Sequence, residues 1–375
     1  MKVLIILGLA LSVSAFNQYR LANDELLSMT KDETTPGKEA VSAKTYIVNL
    51  DLPPMERWNN VFQHFNPEDF TVAIRTLIHE FLPSNLVIYI LEEVASELDR
   101  YIPQPFADEL RGISNNFRIG LGDLVLGNLV YDLSAFTHST FPRACTSIVA
   151  LDKMGRIIHG RNLDYLIGKK LKALTMQVDY QKNGKTLFMA TTYLGYIGVI
   201  TGTKNGAFSV SGDQRNTGNI FENFLSALNG SWPTFMLQRM VLEDAKDYQE
   251  AVALLSRTST IAPVYFIVGG AKPGEGAIIV RDQAHLRNIT LMDNRWYILE
   301  TNYDPWNAPP KFDDRRDAGI AAMNKVGREN MDPEELYKVL SVPPVFNTHT
   351  TYTTIMSAAD PNVYRTMIRY DAPSD

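Results

Sequence analysis

Apolar side chains recur at helical spacing through the first third of the chain and in strand-like runs through most of the rest. After Asn66-Pro67-Glu68, residues 70–81, 85–101, 106–116 and 121–133 keep an apolar face, which predicts a helical layer. The preceding residues 16–45 are polar and lack a sustained period, so they read as a lead-in, with the fold starting near Tyr46. After Cys145, β-branched runs broken by Gly, Asn and Asp predict strands over 146–151, 156–163, 171–180, 186–193 and 207–211. Helical spacing returns over 221–228, 233–245 and 248–257, the last opened by Asp247 with Glu250 in the position of a capping-box acid. Strands follow at 265–269 and 277–281 around a Gly- and Pro-rich turn, then at 296–301 and 351–357. Strands, helices and strands in blocks predict an α+β fold in which helices cover sheets. No internal repeat, low-complexity tract or heptad run interrupts the pattern.

Composition adds limits. A 45% hydrophobic chain of 375 residues can build a sizeable core, and 36 basic against 42 acidic residues disfavour nucleic acid as a partner. Met1-Lys2, an apolar stretch over 3–13 and Ser14-Ala15 read as a signal peptide over residues 1–15. The stretch is too short to span a bilayer and no longer one follows, so membrane contact would be peripheral. The sequons Asn229-Gly230-Ser231 and Asn288-Ile289-Thr290 are candidate glycosylation sites that agree with secretory passage. The apolar stretches 82–91 and 101–106 read either as core or as a surface that collects lipid.

Candidate chemistry centres on Cys145, the only cysteine. It cannot form an intramolecular disulfide, and a lone thiol can equally be a buried structural residue. It heads a predicted strand, however, and cutting the Ala144–Cys145 bond would give one residue both a thiol nucleophile and an α-amine base. The tetrapeptide Asp152-Lys153-Met154-Gly155 reads as a turn, so strands 146–151 and 156–163 should pair antiparallel and set Cys145 opposite residues 161–163. Arg161 and Asp164 are then the nearest charged groups on the returning strand. An arginine there would favour thiolate, and a carboxylate could hold the amine; an ordinary salt bridge is the competing reading. His159 shares the strand with Arg161 and could approach the thiol, or serve structure alone. The six histidines show no metal-ligand spacing, and Gly120-Leu121-Gly122 lacks the third glycine of a dinucleotide turn, so neither a metal nor a nucleotide cofactor is expected.

The segments Cys145-Thr146-Ser147-Ile148-Val149-Ala150 and His159-Gly160-Arg161-Asn162-Leu163-Asp164-Tyr165 resemble the family of N-acylethanolamine acid amidase and acid ceramidase. The likeness extends to Ser211-Gly212-Asp213, Glu300-Thr301-Asn302-Tyr303-Asp304, Asp313-Asp314-Arg315-Arg316 and Tyr352-Thr353-Thr354, and so covers nearly the whole mature chain. The resemblance implies an N-terminal-nucleophile hydrolase with an αββα sandwich, made as a proenzyme that cuts itself at Ala144–Cys145. It implies a mainly helical α subunit over 16–144, a catalytic β subunit over 145–375, and a heterodimer of the two. By position, Cys145 becomes the nucleophile, Arg161 and Asp164 organise it, Asn302 donates to the oxyanion, and Arg315 matches a charged position nearby. The implied activity is hydrolysis of fatty-acid amide lipids, without a cofactor, in the lysosomal lumen.

One position departs from the pattern. Gln214 stands where the family places a glutamate linked to self-cleavage, which leaves a non-catalytic lipid-binding relative as an alternative. The segments 211–213, 340–342 and 356–358, and the lack of a second cysteine, are nearer to the amidase than to a ceramide hydrolase. They favour N-acylethanolamine over ceramide as substrate.

Overall fold

The computed structural model describes residues 40–81, 102–134, 145–165, 168–217, 220–310 and 313–370. The chain opens with two short strands, β1 (Ala40–Ser42) and β2 (Thr45–Asn49). Four helices follow: α1 (Asn59–Phe62), α2 (Pro67–Phe81), α3 (Phe106–Phe117) and α4 (Leu121–Ser134). Beyond the cysteine come β3 (Cys145–Leu151), β4 (Ile157–Asp164), α5 (Gly168–Leu174), β5 (Thr175–Lys182), β6 (Lys185–Tyr193), β7 (Thr201–Lys204) and β8 (Phe208–Gln214). Helices α6 (Ile220–Leu228), α7 (Thr234–Asp244) and α8 (Tyr248–Arg257) precede β9 (Val264–Gly270), β10 (Gly276–Arg281), β11 (Leu286–Leu291) and β12 (Tyr297–Glu300). The chain closes with α9 (Arg315–Val326), α10 (Pro333–Val339), β13 (Thr350–Met356) and β14 (Tyr364–Arg369).

These strands form a six-stranded sheet, β1-β14-β13-β4-β3-β12, and an eight-stranded sheet, β11-β10-β9-β8-β7-β6-β5-β2. Strand alternation divides the side chains between layers. Val149, Leu151 and Ile157 from the first sheet meet Tyr265, Ile267 and Val280 from the second. Their neighbours Ile148, Ala150 and Ile158 pack outward on Met323, Leu336 and Val339 of α9 and α10. Phe208, Val210, Phe266 and Ile279 turn to the opposite side and share a core with the helices that include Leu237, Val241 and Leu255. The result is a helix–sheet–sheet–helix sandwich, the α+β architecture of the N-terminal-nucleophile hydrolases.

Several expectations change. Residues 171–174 end helix α5 and the strand begins only at Thr175, because a short apolar run does not distinguish a buried helical turn from a strand. The polar lead-in already contributes β1, which pairs with β14. Ile102 and Phe106 lie in the main core, so that part of 101–106 packs inward instead of offering a lipid-collecting face. The expected signal peptide, the helix over 85–101, the apolar stretch 82–91 and Ala144 lie outside the described residues. Among the described residues no helix is long and apolar enough to cross a membrane.

Candidate active site

The hairpin β3–β4 brings the first partner to the cysteine. Asp152 accepts hydrogen bonds from the backbone N–H groups of Met154 (2.9 Å) and Arg156 (2.8 Å), and Gly155 supplies the positive φ that closes the turn. The resulting register sets Cys145 opposite Leu163 and Ser147 opposite Arg161. Cys145 and Arg161 are therefore diagonal neighbours, and Arg161 Nη2 donates to Cys145 Sγ at 3.4 Å. Gly160 separates His159 from Arg161 because α10 lies close; a Cβ there would meet Leu340 at 2.8 Å. Other donations fix the guanidinium: Nη1 to Thr201 (2.5 Å) and to the Tyr352 hydroxyl (3.1 Å), Nη2 to the Gly212 carbonyl (3.0 Å).

Strand β12 supplies the other side. It runs antiparallel to β3 with Glu300 opposite Ser147, so Asn302, two residues on, emerges beside Cys145. The backbone N–H of Cys145 donates to Asn302 Oδ1 at 2.5 Å, and Asn302 Nδ2 donates to the Gln214 carbonyl at 2.8 Å. Arg315, at the start of α9, donates to the Cys145 carbonyl (2.5 Å) and to Asn302 Oδ1 (3.2 Å) while Asp313 holds it by two further bonds. Each backbone or side-chain heteroatom of Cys145 thus meets a different polar side chain.

Asp164 sits at the end of β4 and differs from its expected place. Its Oδ2 accepts from Asn347 at 3.0 Å and lies 4.0 Å from Arg315, while the hydrogen bond from Cys145 N goes to Asn302. The cause is alternation, since Asp164 follows Asn162 onto the outward face of the strand, away from Arg161. His159 faces inward but reaches Ser209 and Ser211, each at 3.0 Å, so it belongs to the packing between sheets. Burial, aided by Arg161, pushes its pKa down to about 3 and keeps it neutral. Gln214 is buried at the end of β8. Asn229 is exposed just beyond α6, and Asn288 is partly exposed on edge strand β11.

Three further residues complete the surroundings of the thiol: Asp213, Thr201 and Tyr352. The carboxylate of Asp213 lies 3.7 Å from Arg161 Nη2 and accepts from Ser147 Oγ at 2.9 Å. Sequence alternation could have marked Asp213, because it shares a face with Ser209 and Ser211; Thr201 and Tyr352 carry no such local signal. Burial pushes the Cys145 thiol up, Arg161 opposes this, and Asp213 and Asp164 reinforce it, leaving the thiol above its ordinary pKa. Burial also raises Asp164, against the pull of Arg315.

An apolar cavity opens nearby, lined by Tyr131, Tyr165, Tyr193, Leu194, Ile200 and Phe235. Tyr193 packs on Tyr352, the residue that accepts from Arg161, and so connects the cavity to the thiol. Among the described residues no three His, Cys, Asp or Glu side chains gather in a way that would hold a metal ion.

A double-sheet sandwich with a cysteine at the head of an interior strand, gripped by arginine and asparagine, defines an amide hydrolase of the N-terminal-nucleophile class. A family model for linear amide C–N hydrolases, the choloylglycine hydrolase family, matches residues 145–314. A second, described as the beta subunit of N-acylethanolamine-hydrolyzing acid amidase, matches residues 41–102, ahead of Cys145. The N-acylethanolamine-hydrolyzing acid amidase of Rattus norvegicus is 42% identical over 340 residues, 90% of each chain. The acid ceramidase of Homo sapiens is 38% identical over 334 residues, covering 83% of this chain and 82% of its own. A solved Caenorhabditis elegans N-acylethanolamine-hydrolyzing acid amidase ortholog superposes with a TM-score of 0.54 at 38% identity, over 58% of this chain and 95% of that one. The chain belongs to the family of N-acylethanolamine-hydrolyzing acid amidases and acid ceramidases.

Proposed function

We propose that this protein is a self-processing cysteine amidase that hydrolyses N-acylethanolamines to free fatty acid and ethanolamine. The observation that carries the reading is the separate engagement of Cys145 N by Asn302, Sγ by Arg161 and O by Arg315 at the head of a strand. In maturation, Sγ attacks the Ala144 carbonyl carbon, and the peptide bond from that carbon to Cys145 N breaks, with the thiol proton passing to the freed nitrogen. Water then hydrolyses the resulting thioester, leaving Ala144 as a carboxylate and Cys145 with a free amine and thiol. In turnover, that amine takes the thiol proton as Sγ attacks the substrate carbonyl, then passes it to the departing ethanolamine nitrogen. Water, activated by the same amine, cleaves the acyl thioester and restores the thiol.

Arg161 stabilises the thiolate, and Arg315 fixes the Cys145 carbonyl and the Asn302 amide. Asn302 donates to the developing oxyanion through Nδ2, while Asp164 anchors the strand end and opposes Arg315. The apolar cavity beside Tyr193 suits an acyl chain. Identity of 42% over 90% of the chain to an N-acylethanolamine amidase, against 38% over 83% to an acid ceramidase, supports ethanolamides over ceramide. The exposed Asn229 sequon supports glycosylation and passage to the lysosomal lumen, where contact with lipid vesicles would be peripheral.

The test is intact mass after incubation at acidic pH, followed by release of product from matched ethanolamide and ceramide lipids. The expected result is a fragment beginning at Cys145 and faster ethanolamide turnover. Cys145→Ala should abolish both cleavage and turnover. Retained processing in that variant refutes the self-cutting mechanism, whereas a stable, uncut, lipid-loaded parent chain supports a binding protein instead.

A further inference from the structure

We propose that Asp213 is a positioning residue that acts on Cys145 through Arg161 and ties the nucleophile to the acidity of its surroundings. The inference deepens the amidase reading and rests on it. Arg161 Nη2 is shared: it donates to Cys145 Sγ at 3.4 Å and lies 3.7 Å from Asp213 Oδ1. The two acidic groups therefore compete for one guanidinium inside a buried site. When Asp213 is ionised, part of the arginine charge is neutralised and the thiolate loses support. When Asp213 is protonated, the whole charge bears on the thiol.

The surroundings of Asp213 are built for such a group. Oδ1 accepts from Ser147 Oγ at 2.9 Å, and Ser147 Oγ in turn accepts from Ser211 Oγ at 2.8 Å. Since the Ser211 hydroxyl is spent on Ser147, it accepts from His159 Nε2, 3.0 Å away, so the chain of donors points at Asp213. Oδ2 is buried and has no hydrogen-bond partner, an arrangement that disfavours the ion and leaves room for a proton. The charged and titratable groups that influence Asp213 are Arg161 of β4, Cys145 of β3, Glu300 of β12, Tyr352 of β13 and Arg315 of α9, with Asp164 acting through space from the outward face of β4. Tyr265, its register partner on β9, directs its hydroxyl to Asp304. Burial, against the pull of Arg161, lifts the carboxyl to about 7.

The sign follows. Below about pH 7 Asp213 is neutral and Arg161 favours thiolate, while above it the carboxylate pushes the thiol pKa up. The experiment reads the rate of alkylation of Cys145 by iodoacetamide, scored by intact mass between pH 5 and 11 on processed protein, and needs no substrate. Asp213→Asn should move the alkylation midpoint down by about one pH unit and flatten the alkaline fall of amide hydrolysis. A midpoint unchanged from the parent overturns the proposal and leaves Asp213 a structural residue. If Asp213→Asn does not fold, Ser147→Ala serves, because loss of a donor to the carboxylate raises Asp213. The alkaline fall should then move up by about one unit, and an unmoved or lowered limb refutes the coupling. Absence of amide turnover in the parent sinks the amidase reading separately, with the alkylation midpoint still deciding the role of Asp213.

Discussion

At the scale of single residues, Gln214 is the informative departure. It is buried at the end of β8, beside Asp213, and its carbonyl accepts from the Asn302 amide that also holds Cys145 N. A protonated glutamic acid and a glutamine offer similar hydrogen bonds, but only the acid passes a proton on. Gln214→Glu should therefore speed the appearance of the fragment starting at Cys145 by on the order of ten-fold, followed by mass spectrometry over time in acid. Unchanged kinetics would mean that hydrogen bonding alone serves maturation. Much of this neighbourhood was readable in advance. The turn at Asp152–Gly155 fixed the register, and the register placed Arg161 beside the thiol. What the local pattern could not show was the source of the remaining partners. Thr201 from β7 and Asp213 from β8 reach Arg161 across the stacked sheets, and Tyr352 reaches it from β13, which pairs with β4 from almost two hundred residues further along the chain.

At the scale of elements, the most consequential contact outside the site joins α3 to α7. Glu109 is fully buried and accepts from Arg239 at 2.6 and 2.7 Å, from Trp58 at 2.7 Å and from Arg57 at 2.9 Å. The Arg239 guanidinium also lies over the rings of Phe106 and Tyr180. Burial alone would raise the Glu109 pKa, but Arg239 and the two further donors, Trp58 and Arg57, outweigh it and hold the carboxyl below its ordinary value. A depressed folded pKa means that the stabilisation is present above the unfolded value and is lost only as pH falls through the folded one. The contact therefore survives in moderately acidic medium. Glu109→Gln should cost about 3 kcal/mol by leaving Arg239 short of a counter-charge, seen as a melting point lowered by several degrees at pH 5. A parent-like melting point would show that the pair contributes little net stability. Helices α3 and α4 follow from apolar periodicity, and the Asp247 cap of α8 forms as expected, accepting from Glu250 N at 2.9 Å. Helix α9 has no comparable apolar stripe, because two of its buried positions are arginines: Arg315 reaches Cys145 and Asn302, and Arg316 holds the carbonyls of Tyr303 and Asn307.

At the scale of the whole molecule, residues before the proposed cut are part of both sheets. Strand β1 forms one edge of the six-stranded sheet through β14, and β2 forms one edge of the eight-stranded sheet by parallel pairing with β5. Gln177 secures the link between them, donating to the Ala43 carbonyl at 3.1 Å and to Thr45 Oγ1 at 2.9 Å while accepting from Thr366 N at 2.9 Å. Leu110, Leu124 and Val125 share a continuous core with Leu237, Val241 and Val264 from beyond the cut. Scission at Ala144–Cys145 would break one covalent bond and none of these contacts. Cys145 is the only cysteine in the sequence, so no disulfide between the two products is available. The processed protein should therefore elute as one species by size exclusion with or without reductant, and separate into two only in denaturant. Residues 145–375 produced alone should aggregate, because the missing segment uncovers a strand edge on each sheet together with the core beneath the helices. A soluble, monomeric fragment of that kind would show that the leading segment is dispensable to the sandwich, contrary to the pairing of β1 and β2.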